Sequence, residues 1–209
     1  MKIRLIIPIT GITHEGISQR LDYLRSIASP GTKIDAVQIL SGPPAIESEV
    51  DGVEAGPGIL KLVEEAENDG CDAAIIWCGS DPALRAAREL VDIPVVGPGE
   101  SMRLIASMLG DRPCGVAPDI PVLEMRRDLK KTTEAICSAI VEKIEKGDGD
   151  SFYLGCLALW GLGKTLREAL RVPVIDGAES SLVMAEAAAR LGLRHSRMAY
   201  PKHPPKHRI

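Results

Sequence analysis

Short apolar, β-branched runs alternate along the chain with longer stretches whose apolar residues recur at helical spacing. Ile3 to Ile9 reads as a strand, and Gly16 to Ala28 as a helix with Ile17, Leu21, Leu24 and Ile27 on one face. Ile34 to Leu40 reads as a second strand. The Gly/Pro-rich stretch from Ser41 to Gly52 reads as a long loop of the kind that covers a site. The same periodicities predict a helix over Pro57 to Asn68 and a buried strand over Ala73 to Cys78. A helix running to Val91 should follow, with Asp81 as its N-cap and Pro82 at its first position. Next come a strand at Pro94 to Val96, a helix at Glu100 to Leu109 and a strand at Cys114 to Ala117. The remaining elements are a helix over Arg127 to Lys146, a strand at Phe152 to Cys156 and a helix at Gly161 to Leu170. A strand at Val172 to Ile175 and a helix at Ser180 to Leu191 complete the pattern. Alternation of this kind predicts α/β architecture with parallel sheets.

An internal repeat overlies this pattern. Asp72-Ala-Ala-Ile-Ile-Trp-Cys78 aligns with Asp150-Ser-Phe-Tyr-Leu-Gly-Cys156, with Asp and Cys six apart in both. Pro94-Val-Val-Gly-Pro-Gly-Glu-Ser101 aligns with Pro173-Val-Ile-Asp-Gly-Ala-Glu-Ser180. Cys78 to Pro94 is 16 residues, and Cys156 to Pro173 is 17. Each copy therefore reads strand, Cys, loop, helix, Pro-Val strand, Glu-Ser helix.

Composition narrows what such a duplicated α/β chain can do. Apolar residues make up 45% and charged residues 26% of the 209, which is globular composition. Aromatics are only 3%, so the core is expected to be aliphatic, and base stacking on aromatic platforms has little to draw on. A formal charge of -4 provides no general attraction for nucleic acid or an anionic membrane. No apolar run approaches the roughly 18 to 20 residues of a bilayer span, and the block at Ile3 to Pro8 is too short for a signal peptide. Five cysteines, an odd number without a C-x-x-C or zinc-type spacing, read as reduced thiols in a cytoplasmic protein with no structural metal.

Two of those thiols stand apart. Cys78 and Cys156 each close a predicted parallel strand, at the carboxyl edge where open α/β sheets bind ligands. There the N–H groups of Gly79 and Ser80 can face an anion, and a helix dipole favours a thiolate. Two pseudo-symmetric halves facing each other would place the two sulfurs on opposite sides of one cleft. Cys71, Cys114 and Cys137 read as packing residues.

At these residues the sequence resembles the aspartate/glutamate/hydantoin racemases, and most of all their hydantoin racemase branch. The resemblance rests on Gly42-Pro-Pro-Ala-Ile-Glu-Ser48, Cys78-Gly-Ser-Asp-Pro-Ala-Leu84, Pro94-Val-Val-Gly97, Leu154-Gly-Cys156 and Pro173-Val-Ile-Asp176. It implies two doubly wound parallel-sheet domains related by a pseudo-twofold axis, with the active site between them and the chain end returning to the first. Residues 1–97 plus 177–209 would form one domain, and 98–176 a second, shortened one. It further implies a small-molecule substrate, no cofactor and a homo-oligomer. Cys78 and Cys156 would be the paired acid and base. Gly79, Ser80, Leu157 and Ala158 would hold the substrate's carboxylate or carbonyl, with Asp81 and Asp176 supporting the cysteine turns from behind. Such chemistry removes a proton α to a carbonyl on one face and delivers one to the other. Neighbouring dipoles are expected to bring thiols with an ordinary pKa near 8.5 towards neutrality.

Several stretches depart from that family's pattern. Only 35 residues separate Cys114 from Asp150, so the second half lacks a strand-helix unit, with Ile120 to Met125 as a candidate short extra strand. The turn Gly115-Val-Ala-Pro-Asp119 has no Thr, and Leu157-Ala158 replaces a small Ala-Gly pair. The first turn, Pro8-Ile-Thr-Gly11, lacks the usual Asn, leaving Thr10 as either a turn-former or a hydroxyl contact to substrate. Asp176 could equally cap the following helix. Lys2 and Arg4 read as edge charges, and the basic tail Tyr200 to Arg208 as a docked or disordered end. The leading expectation is a cofactor-independent racemase or epimerase of a hydantoin or amino-acid-like carbonyl compound. The same scaffold could instead serve cis-trans isomerisation or decarboxylation of a dicarboxylic acid, or non-catalytic small-molecule binding.

Overall fold

The computed structural model describes residues 1–204. Two parallel sheets carry the architecture. The first has the order β2-β1-β3-β4, from β1 (Lys2–Ile7), β2 (Lys33–Gln38), β3 (Ala73–Ile76) and β4 (Val95–Val96). The second has the order β5-β6-β7, from β5 (Pro113–Val116), β6 (Ser151–Leu154) and β7 (Val174–Ile175). Aligning β5 with β1, β6 with β3 and β7 with β4 superposes the two orders. The only strand of the first sheet without a counterpart is β2. Residues 120–125, expected as an extra strand, instead form consecutive turns, with Glu124 and Met125 N–H donating to the Pro121 carbonyl. Pro121 removes a ladder donor there.

The strands alternate as a two-sided sheet requires. Ile3, Leu5, Ile7 and Ile75 face one core, while Ile6, Ala74 and Ile76 face the other. The latter face is covered by α2 (Glu49–Asn68) and α3 (Leu84–Leu90). The second sheet packs on α5 (Leu129–Lys146) and α6 (Gly163–Leu170) around Phe152, the one Phe of the chain and fully buried.

Helices α4 (Pro98–Leu109) and α7 (Gly177–Arg190) follow β4 and β7, yet each packs on the other half's sheet. α4 lies against β5, β6 and β7, α7 lies against β3 and β4, and the two helices pack on one another. Met102 and Ala106 of α4 thereby share a core with Ala178, Leu182 and Ala185 of α7 and with β1. α1 (His14–Ile27), capped by Thr13, closes this core from the side of the first sheet.

Three local expectations are corrected. The helix predicted from Pro57 begins eight residues earlier at Glu49, initiated by a capping box between Ser48 and Asp51. Of its glycines Gly58 is a packing position, where a Cβ would lie 2.8 Å from Ile39 Cγ2. Asp81 does not cap α3. It sits in the left-handed region at φ 55, as does Ala83, and α3 starts only at Leu84. Arg4 is no edge charge, because β1 is an inner strand. It is buried and ion-paired with Asp35 at 2.8 Å and Asp69 at 2.6 Å. The chain end docks beside α3, where Arg88 donates to the Tyr200 hydroxyl and Arg85 covers its ring. The last residues of the basic tail, 205–209, lie outside the described residues.

Candidate active site

The carboxyl edges of the two sheets face a common cleft of about 670 Å³. Cys78 and Cys156 both line it, each two residues beyond the end of its strand, β3 and β6. Both thiols are free. Their turns touch through backbone at Gly79. A Cβ there would overlap the Gly155 carbonyl oxygen and lie 3.0 Å from its carbon and 3.6 Å from Cys156 Cα. On its other side the Gly79 carbonyl abuts Gly99, where a Cβ would overlap it. Gly79 is thus wedged between the second cysteine turn and the start of α4, and only glycine fits.

The residues expected to surround the sulfurs lie close by. The Ser80 hydroxyl is 3.3 Å from Cys78 Sγ, and the Ala158 N–H donates to Cys156 Sγ at 3.4 Å. Leu157 and Ala158 form a short 3-10 turn (Leu157–Leu159) that buries both and lines the cleft together with Gly79 and Ser80. Thr10 stands apart. It is absent from the cleft lining, and its hydroxyl donates to the Pro43 carbonyl at 3.2 Å, tying the first turn to the 41–48 loop.

Asp81 and Asp176 lie behind the cysteine turns and join each to a following helix. The buried Asp81 carboxylate accepts from Gly99 and Glu100 N–H at 2.8 and 2.7 Å, capping α4 rather than its own helix. Asp176 caps α7 through Ala178 N–H at 2.9 Å and also accepts from Gly161 N–H at 2.7 Å, beyond Cys156. The two alternatives for Asp176, helix cap and support of the cysteine turn, are therefore one arrangement. Burial pushes both carboxyls up, Asp176 to about 6, against the pull of those N–H donors.

The thiols differ from expectation in one respect. Enclosure of the sulfurs pushes both up, Cys156 to about 11. At Cys78 the Ser80 hydroxyl and the Ser80 and Gly79 N–H groups favour the thiolate, but desolvation outweighs them. Cys156 is raised further by the charge that Cys78 would carry. The pair therefore resists ionisation, double ionisation most of all, and the thiolate needed as base is reached by loss of one proton from the pair.

Two arginines of the cleft escaped the sequence reading. Arg20, on α1, is 7% exposed; its Nη1 donates to the Gly16 carbonyl at 2.6 Å. Its signal was an arginine on the apolar stripe of Ile17, Leu21 and Leu24. Arg126 donates to the Ala158 and Trp160 carbonyls at 3.1 and 3.0 Å and lies 3.7 Å over the Trp160 ring. It belongs to the irregular segment 117–128, which carries no periodic signal. Among the described residues no three His, Cys, Asp or Glu side chains group as a metal site, and no helix is long and apolar enough to cross a membrane.

Comparison with known proteins identifies relatives in sequence and in fold. The Asp/Glu/hydantoin racemase family model matches residues 17–117. A hydantoin racemase from Pseudomonas sp. is 32% identical over 99% of this chain and 93% of its own length. Among solved structures, allantoin racemase from Pseudomonas fluorescens superposes with a TM-score of 0.91 at 25% identity, over 100% of both chains. Allantoin racemase from Klebsiella pneumoniae gives 0.88 at 28% identity, over 98% of this chain and 95% of its own. With near-complete coverage in sequence and in fold, the chain belongs to the Asp/Glu/hydantoin racemase family, whose members among these relatives are racemases.

Proposed function

We propose that this racemase inverts the α-carbon of a hydantoin or a similar ring carbonyl compound by proton transfer between Cys78 and Cys156. The observation that carries the reading is the pairing of two sulfurs at equivalent strand ends in one cleft, their turns in backbone contact at Gly79. With one proton between the two thiols, one sulfur is a base and the other an acid. The thiolate takes the α-proton and becomes a thiol, and the C–H electron pair moves into the carbonyl as an enolate. The opposite thiol protonates the other face and becomes the thiolate, so the enantiomer is released with the roles exchanged. Both transfers run between carbon and sulfur, which needs neither a metal nor an organic cofactor. Backbone N–H groups beside the cysteines, Gly79 and Ser80 on one side and Ala158 on the other, are the donors assigned to the enolate and the thiolates.

Substrate is the finer part of the reading. The hydantoin and allantoin racemases to which this chain is similar act on five-membered ureide rings, and the cleft accommodates such a ring. A cytoplasmic location fits five free thiols, and a homo-oligomer fits the exposed Leu104, Met108, Leu109 and Val183 on α4 and α7. The test is loss of optical rotation of L- and D-5-substituted hydantoins in chelator-treated buffer. Racemisation of both hands, with Cys78→Ala and Cys156→Ala each slower by about 10²-fold or more, is the expected result. Retention of activity in either variant would remove that sulfur from the mechanism.

A further inference from the structure

The two arginines, Arg20 and Arg126, are unusual because, among the described residues, no carboxylate is ion-paired with them. Arg20 is buried, yet its Nε has no acceptor; the Nε1 of Trp77, which lines the same cleft and is 4% exposed, has none either. Arg126 is fixed over Trp160 by bonds from Nη1 alone, leaving its Nε and Nη2 donors without a described partner. Each guanidinium is held below its ordinary range by burial; Arg126 adds repulsion at Arg20, and the weaker pull of Asp176 on Arg126 and of Cys156 on Arg20 does not offset the desolvation. The acidic side chains of the cleft, Glu47 and Asp119, are exposed, and Glu47 is engaged by the Val122 N–H at 2.8 Å. The inner cleft therefore offers spare donors and positive charge that no carboxylate of the described residues pairs with.

Unpaired buried donors are costly, and a guanidinium fork fits a carboxylate with two parallel bonds. We propose that Arg20 and Arg126 bind an acidic substituent on the substrate, so that the preferred substrates are hydantoins whose 5-side chain ends in a carboxylate. The inference rests on the racemase reading and names the substrate class of that same cleft. It also assigns the segment that replaces the missing strand-helix unit a role in specificity, because Arg126 comes from it.

The experiment compares hydantoin-5-acetic acid with 5-isobutylhydantoin, which has a similar branch length and no charge, in the wild-type full-length chain. The acid is expected to show kcat/KM about tenfold or more above the isobutyl compound, an advantage that shrinks as salt is raised. Arg20→Gln and Arg126→Gln should each raise KM for the acid about tenfold more than KM for the isobutyl compound. Arg126→Lys should recover part of the loss, since charge survives and the fork does not. A wild-type preference for the isobutyl compound, or equal losses on both substrates, would overturn the proposal and leave the racemase reading intact. If neither compound is racemised, the racemase reading fails, and calorimetric binding of hydantoin-5-acetic acid decides the proposal separately. Binding weakened in both Gln variants supports it; no binding to the wild type overturns it.

Discussion

Replacing Gly79 by Ala probes the contact on which the two-sulfur geometry depends. The added Cβ would lie 3.0 Å from the Gly155 carbonyl carbon and overlap its oxygen, whereas ordinary contact begins near 3.4 Å. All of these neighbours are backbone, including Cys156 Cα at 3.6 Å, so no side chain can rotate away. Relief requires the two cysteine turns to separate by roughly half an ångström to one ångström, given the 3.5 to 4.0 Å optimum between carbons. Overpacking of this kind costs about 1–3 kcal/mol of stability. A misplacement near 1 Å in a reacting pair costs about 10²-fold in rate. Racemisation followed by circular dichroism should therefore show kcat/KM down by about 10²-fold, larger than the stability loss measured by urea unfolding would explain in a protein that remains folded. Gly155→Ala is the stability control. Its Cβ would meet Val116 O at 3.6 Å and Ala117 Cβ at 3.9 Å, both ordinary contacts, so its unfolding midpoint should stay near the wild-type value. Wild-type kcat/KM in Gly79→Ala would refute the claim that contact at Gly79 sets the sulfur pair.

Three further outcomes follow from the same geometry. Because enclosure raises both thiols, Cys156 to about 11, kcat/KM should rise with pH through the ordinary thiol range near 8.5 and keep rising beyond it as the singly ionised pair fills; a plateau below neutrality would contradict the desolvation argument. Asp176 has a folded pKa of about 6, above the unfolded value of about 3.9, so its protonated form is bound preferentially by the native state. Its contribution is present below the unfolded pKa and lost as pH rises through the folded one. Wild type should lose about 2 kcal/mol relative to Asp176→Asn between pH 4 and 7 in chemical unfolding, and a gain would reverse the assignment. Gly52→Ala, inside α2 with only Pro82 Cβ at 3.8 Å, should raise stability by about 0.5–1 kcal/mol, and a loss would mean α2 needs that glycine.

Much of the fold was legible because period and repeat agree. Short runs rich in apolar residues point to the strands, and the Asp-Cys and Pro-Val blocks anticipated that β3 and β6, and β4 and β7, are counterparts. Their endpoints also led to Cys78 and Cys156, which the fold brings to one cleft. The failures have local causes. The Gly/Pro-rich stretch reads as loop through Gly52 with a helix from Pro57, but the capping box of Ser48 and Asp51 starts α2 at Glu49. Asp81 has the ideal sequence setting for a cap, yet its carboxylate reaches residues 99 and 100, a long-range contact no local rule supplies. The expected drop in thiol pKa assumed exposed dipoles, whereas desolvation in the cleft prevails. Arg126 lies in irregular chain, so its place beside Cys156's turn depends on tertiary structure alone.

The central claim, one sulfur for each face of the α-carbon, is tested most directly by solvent exchange in single-cysteine variants. Each enantiomer of a racemised hydantoin is incubated in deuterium oxide with Cys78→Ala or Cys156→Ala, and α-deuterium is followed by NMR against an enzyme-free blank. Neither variant should interconvert enantiomers, but each should exchange the α-hydrogen of the one hand whose proton faces the surviving sulfur. The favoured hand should therefore be opposite in the two variants. Exchange of the same hand by both variants would contradict the assignment of one base to each face.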